Sequence, residues 1–72
     1  MSNTKFDIKS RLEKRGIQMT EEEIQAYRSK VIQAILDLGG GEGDARFVRD
    51  EIIANGIINN RQPKDVAWAL LQ

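Results

Sequence analysis

The segment from Thr20 to Gly39 constrains the fold of this chain most strongly, because it carries the start, the body and the end of one long helix. Thr20 and Glu23 have the spacing of a capping box, in which each side chain accepts a hydrogen bond from the backbone N–H of the other residue. Gly39 can adopt the left-handed conformation that closes a helix. The sequence therefore predicts a helix over residues 21–38.

Apolar residues recur at steps of three and four along this helix and form one stripe, which is expected to face the core. Its members are Ile24, Tyr27, Val31, Ala34, Ile35 and Leu38. Ile32 and Leu36 lie one turn apart on a different side. A helix that is apolar on two sides must be covered on two sides. The second cover is either another helix of the same chain or a partner molecule.

Three more helices are predicted, so the expected fold is an all-α bundle of four helices over about 5–15, 21–38, 45–54 and 63–71. The first helix is expected to end at Gly16, where Leu12 can meet Ile17 across the terminus. Asn55-Gly56 is the predicted end of the third helix. Pro63 opens the fourth, because the first helical position does not need a backbone N–H.

The connections between these helices carry distinct signals. Ile57 and Ile58 are expected to fill the core from the eight-residue connection 55–62. The glycine-rich segment 39–44 predicts a linker, with a hinge as the alternative and with Asp44 as the cap of the next helix. Its spacing matches neither a phosphate-binding loop nor a calcium loop.

Composition limits the chemistry available to the chain. There are 72 residues, which suits a single domain over 1–72, and neither cysteine nor histidine occurs. This excludes Ser-His and Cys-His nucleophile pairs and ordinary zinc sites. We therefore expect no enzymatic activity, no cofactor and no metal. The polar start of the chain predicts neither a signal peptide nor a membrane anchor, so the cytoplasm is the expected compartment.

Residues left outside the predicted core favour a protein-interaction module that modulates a larger partner. Trp68 falls outside the inner face of the last helix, so it either folds over the edge of the core or anchors a contact. Ile32, Leu36 and Lys64 complete the predicted partner-binding set. A homodimer is an alternative, since a 72-residue chain is close to the lower size limit for an independent core.

Nucleic-acid binding is the alternative function. The basic residues of the first helix could clamp a phosphate backbone, although a solvated face explains them as well; they are Lys9, Arg11, Lys14 and Arg15. The last two helices could form a helix-turn-helix that contacts DNA through Asn59, Asn60, Arg61 and Gln62. Two features oppose this hypothesis. The 11 basic and 11 acidic residues balance, and the predicted connection is longer than the usual turn of three or four residues.

Overall fold

The computed structural model of the protein describes residues 7–72, and this part of the chain is helical, without strands. Five helices occur in it, one more than predicted. They are α1 (Ile8–Lys14), α2 (Glu21–Asp37), α3 (Glu42–Ala45), α4 (Asp50–Ile58) and α5 (Pro63–Leu70). The all-α class is therefore confirmed and the count of four helices is wrong. The beginning of the predicted first helix, residues 5 and 6, lies outside the described residues.

The start of α2 is the predicted capping box. The backbone N–H of Glu23 donates to the Thr20 hydroxyl oxygen at 3.1 Å, and the backbone N–H of Thr20 donates to Glu23 Oε1 at 2.8 Å. Three glutamates in the first turn place negative charge beside the positive end of the helix dipole. Local sequence thus accounts for this terminus completely.

Three helices end in the same way, with a left-handed residue followed by a backbone hydrogen bond to the fifth residue before the donor. After α1, Gly16 has φ 77° and the N–H of Ile17 donates to Leu12 O at 2.9 Å. After α2, Gly39 has φ 94°, and after α4 the left-handed residue is Asn60, with φ 56°. The helix ends at Gly16 and Gly39 were predicted correctly. The predicted end of the third helix at Asn55-Gly56 is wrong, because the helix continues to Ile58 and closes at Asn60.

The core lies where α2 and α4 meet α1 and α5. Buried apolar residues come from α1, α2, α4, α5 and the connection before α4: Ile8, Leu12, Ile24, Val31, Ile35, Val48, Ile53, Ala54, Val66 and Ala67. The predicted stripe on α2 and the inner face of α5 contribute to it as expected. α2 packs most extensively against α5, and α1 packs against α4. Leu38 departs from the prediction, because it stays 36% exposed at the end of α2.

The glycine-rich segment holds the extra helix. α3 occupies Glu42–Ala45, and the backbone N–H of Gly41 donates to Asp44 Oδ2 at 2.8 Å. Asp44 therefore lies within α3 and accepts a hydrogen bond from the residue before the helix. The prediction that Asp44 is the N-cap of a helix beginning at residue 45 is wrong. The sequence did not predict this helical turn, because four of the five residues 39–43 are glycines and glycine has low helix propensity.

α4 begins later and ends later than the third helix predicted over 45–54. Phe47 and Val48 lie in the connection before it, with Val48 buried and Phe47 58% exposed. Ile57 and Ile58 belong to its last turn and pack against the core. The connection to α5 is therefore residues 59–62, four residues rather than eight.

Gly56 explains why α4 continues where the sequence indicated an end. It is buried inside the helix, and a Cβ at this position would lie 2.6 Å from the Tyr27 hydroxyl and 3.0 Å from Val66 Cγ2. Glycine is required here for the close approach of α2 and α5 and not for a left-handed turn. Sequence alone does not separate these two uses of glycine.

Candidate interaction surface

A groove runs between the second half of α2 and the start of α5. On α2, Lys30, Ala34 and Leu38 follow one another at four-residue steps, so they form a row along one side of the helix. The groove has a volume of about 650 Å³, and its lining residues are Lys30, Gln33, Ala34, Asp37, Leu38, Gln62, Pro63 and Lys64. Its apolar part is thus flanked by long polar side chains, and we call it the α2–α5 groove.

Charged groups of both signs border the α2–α5 groove. Gln33 Nε2 donates to Asp37 Oδ1 at 3.1 Å, which holds this carboxylate on the groove side of α2. Lys30 on α2 and Lys64 on α5 are exposed, and within residues 7–72 neither ammonium group has an ion-pair or hydrogen-bond partner. Both cations are therefore available to a bound molecule.

Trp68 lies one helical turn beyond Lys64, on the same side of α5. Its side chain is 57% exposed, while Val66 and Ala67 on the same helix are buried. The sequence predicts that Trp68 either folds over the edge of the core or anchors a contact. Its exposure shows that the Trp68 side chain is at most partly buried against the core. A large apolar surface therefore remains in water on this side of α5.

Ile32 and Leu36, the other two predicted partner-binding residues, lie elsewhere on α2. They are about 200° around the helix from Lys30 and Ala34, because successive residues turn by about 100°. Ile32 is half-buried against the core, and Leu36 is 43% exposed. The structure therefore places Lys64 in the lining of the groove and Trp68 one turn further along α5, while Ile32 and Leu36 lie on another side of α2.

Arg28 explains what covers the side of α2 that holds Ile32. One turn before Ile32, its guanidinium donates to Val48 O at 3.1 Å and forms an ion pair with Asp50. The connection between α3 and α4 thus lies against this side of α2. Part of this side of α2 is thus approached by a connection of the same chain and not by the helix that the sequence predicted as one of the two alternatives.

The connection between α4 and α5 carries the polar residues of the nucleic-acid hypothesis. Asn59, Asn60, Arg61 and Gln62 are all exposed. Two of them also close α4, because Asn59 Nδ2 donates to Asn55 O at 2.9 Å and the backbone N–H of Arg61 donates to Gly56 O at 2.8 Å. These residues are thus exposed at a helix end, and the Asn59 side chain and the Arg61 backbone also take part in closing the helix.

Tyr27 on α2 forms a hydrogen bond with the connection between α4 and α5. Its hydroxyl donates to Arg61 O at 2.7 Å. The pKa of Tyr27 is raised, mainly by burial; nearby Asp65 acts in the same direction and Arg61 opposes it. The hydroxyl therefore stays protonated, and able to donate this hydrogen bond, over an extended pH range.

The basic residues of α1 do not form one face. Lys9 lines a cleft that also contains the acidic residues Glu21 and Asp50. The other three line a separate shallow groove with Asp7 and Ser10; they are Arg11, Lys14 and Arg15. Lys9 therefore lies apart from the other three basic residues of the predicted clamp.

The sequence does not predict most of the residues in the α2–α5 groove. It indicates no role for Lys30, Gln33 and Asp37, places Ala34 and Leu38 in the stripe that faces the core, and predicts Pro63 as the start of the fourth helix. The four-residue steps of Lys30, Ala34 and Leu38 were visible in the sequence. Nothing in the sequence showed that the start of α5 would lie beside them.

Comparison with protein-family models, with curated proteins and with solved structures finds no match to this chain. Among residues 7–72, no group of three acidic, histidine or cysteine side chains is placed to hold a metal ion. No helix in the same range has the length and apolar character needed to cross a membrane.

Proposed function

We propose that this protein is a non-enzymatic protein-interaction module that modulates a larger partner, and that it binds through the α2–α5 groove and Trp68. The observation that supports this proposal is the 57% exposure of Trp68, one turn along α5 from Lys64, which lines a groove together with the apolar residues Ala34, Leu38 and Pro63. Tryptophan is enriched at the energetic centres of protein interfaces, because one rigid side chain buries a large area. The cysteine-free composition fits the cytoplasm, which is the compartment that we propose.

A photo-crosslinking experiment tests this proposal. A photoreactive phenylalanine derivative replaces Gln33 in the groove, and a control chain carries it at the exposed Glu13 on α1. After irradiation in an extract of the source cells, mass spectrometry identifies the covalent adducts. We expect an adduct from position 33 that is absent from position 13 and is lost when Trp68→Ala is added. Equal adducts from both positions, or none, would contradict the proposal.

Nucleic-acid binding remains the second candidate, because the connection between α4 and α5 is now favourable to it. Four residues, 59–62, join the two helices, which matches the turn of a helix-turn-helix. Charge still opposes this candidate: residues 50–70 contain three acidic and two basic side chains. DNA-binding surfaces are usually strongly basic.

Fluorescence anisotropy of a labelled random-sequence duplex separates the two candidates. Binding that weakens steeply between low and physiological salt supports phosphate contacts, because each contact releases counterions. Arg61→Ala should then reduce the affinity, whereas Trp68→Ala should reduce only protein binding. Absence of duplex binding at low salt would remove the second candidate.

A further inference from the structure

We infer that the α2–α5 groove binds a short acidic segment of the partner protein. An apolar side chain of this segment lies against the apolar part of the groove, and its carboxylates pair with Lys30 and Lys64. This inference rests on the proposed function, because it gives the chemistry of the partner at the same surface.

The α2–α5 groove carries more positive than negative charge. Within residues 7–72, its lining contains Lys30, Lys64 and a single carboxylate, Asp37. That carboxylate already accepts a hydrogen bond from Gln33 Nε2 at 3.1 Å. The chain as a whole is neutral, with 11 basic and 11 acidic residues. The groove is therefore a local excess of positive charge on a balanced chain, which favours an anionic partner.

Neither lysine has a partner on its own helix. A carboxylate three or four positions away can pair with a lysine on a helix surface. The residues at these steps are Ala26, Tyr27, Gln33 and Ala34 around Lys30, and Asn60, Arg61, Ala67 and Trp68 around Lys64. Asp65 directly follows Lys64, but adjacent residues do not face each other on a helix. Both ammonium groups are therefore free to pair with carboxylates of another molecule.

The apolar part of the lining selects the kind of anion. Ala34 and Pro63 are half-buried, and Leu38 is 36% exposed. Surfaces that bind a nucleic-acid backbone are polar and strongly basic, which two lysines around apolar side chains do not provide. A peptide segment that combines an apolar side chain with carboxylates complements both parts of the lining.

The dimensions of the groove set the length of the segment. Lys30 and Leu38 are eight residues apart on α2, which corresponds to about 12 Å along the helix axis. An extended chain of about four residues covers this distance. The volume of about 650 Å³ is typical of a cleft that binds a ligand of this size.

Selection from a library of random peptides displayed on phage tests the inference without a known partner. The immobilised protein should enrich peptides in which Asp or Glu stands close to Leu, Ile or Phe. The same selection with the double variant Lys30→Glu, Lys64→Glu should not enrich acidic peptides, because the two charges are reversed.

Fluorescence anisotropy of one enriched peptide then measures the contribution of each lysine. Lys30→Glu and Lys64→Glu should each weaken binding about fivefold, because an attraction at an exposed site becomes a repulsion. Lys14→Glu on α1 makes the same change of net charge outside the groove and should leave the affinity unchanged. Far-UV circular dichroism establishes that each variant is folded.

Two changes in the peptide complete the test. A peptide with lysine in place of its acidic residues should bind the double variant more tightly than the wild type, which a loss of folding does not produce. A peptide with serine in place of its apolar residue should bind the wild type more weakly. Affinity for the original peptide should fall as salt rises, since exposed charges are screened.

Enriched peptides without acidic residues, equal binding by the wild type and the double variant, or no enrichment at all would overturn the inference. Binding of the random-sequence duplex that depends on Lys30 and Lys64 would also overturn it, because the cations would then contact phosphates. The photo-crosslink from position 33 separates this failure from failure of the proposed function. A Trp68-dependent adduct together with peptides that lack acidic residues keeps the interaction module and rejects the acidic segment.

Discussion

The hydroxyl of Tyr27 donates a hydrogen bond to the backbone carbonyl of Arg61, 34 positions later in the chain, at 2.7 Å. The same hydroxyl lies where a Cβ on Gly56 would have to be. One side chain of α2 thus meets both the last turn of α4 and the connection to α5. This contact holds the connection against α2 directly before Gln62, Pro63 and Lys64, which line the α2–α5 groove.

Tyr27→Phe should lower the free energy of unfolding by about 1 kcal/mol at neutral pH, because it removes one hydrogen bond and keeps the ring. Folding raises the pKa of Tyr27 above its ordinary value of 10.0, mainly through burial. Its contribution is therefore complete below that value and is lost as the pH rises through the raised pKa. Urea unfolding across this alkaline range should show the wild type losing its advantage over Tyr27→Phe. A constant difference would contradict the assignment.

Gly56→Ala should destabilise the protein by about 1–2 kcal/mol, although alanine normally favours a helix, because the added methyl group overlaps the Tyr27 hydroxyl. Thermal unfolding followed by circular dichroism measures the effect. Gly43→Ala in α3 is the matched control, since a Cβ there meets nothing within 4 Å. The loss should shrink when Gly56→Ala is combined with Tyr27→Phe; additive losses would show that the overlap lies elsewhere.

Thr20→Ala should cost about 1 kcal/mol of stability, because the N–H of Glu23 loses its hydrogen-bond acceptor at the start of α2. Thr20→Ser keeps the hydroxyl and should stay close to the wild type. Chemical denaturation of the three proteins gives the comparison. Equal stability of the alanine and serine variants would show that the capping box contributes little.

Trp68→Ala should change the free energy of unfolding by less than about 1 kcal/mol, because more than half of the side chain is already in water. Ile53→Ala, at a fully buried position, should cost about 2–5 kcal/mol by comparison. Both values come from urea titrations. A loss at Trp68 as large as that at Ile53 would make Trp68 a core residue and remove the main support for the interaction surface.

The α2 helix was predictable from sequence because its signals are local. Thr20, Glu23 and Gly39 act within one turn of a helix end, and the structure places the helix within one residue of the predicted bounds. The end of α1 at Gly16 follows from the same kind of signal. These features depend on neighbours in the chain and need no knowledge of the fold.

Gly56 shows where local signals fail. Glycine both ends helices and permits close packing, and only the positions of Tyr27 and Val66 show that the second use applies here. The wrongly predicted end of the third helix gave the eight-residue connection, which was one of the two features that opposed a helix-turn-helix. Tertiary contact removed that objection.

By itself the sequence determined the all-helical class, the capped α2 helix and the apolar stripe that α2 buries, because capping and periodicity act over a few residues. It also indicated that Trp68 lies outside the inner face of α5. Only the tertiary structure decided that Lys64 lies beside Lys30, Ala34 and Leu38, and that Ile32 and Leu36 do not line this groove. That arrangement depends on how α5 packs against α2, which is set by contacts between residues distant in the chain.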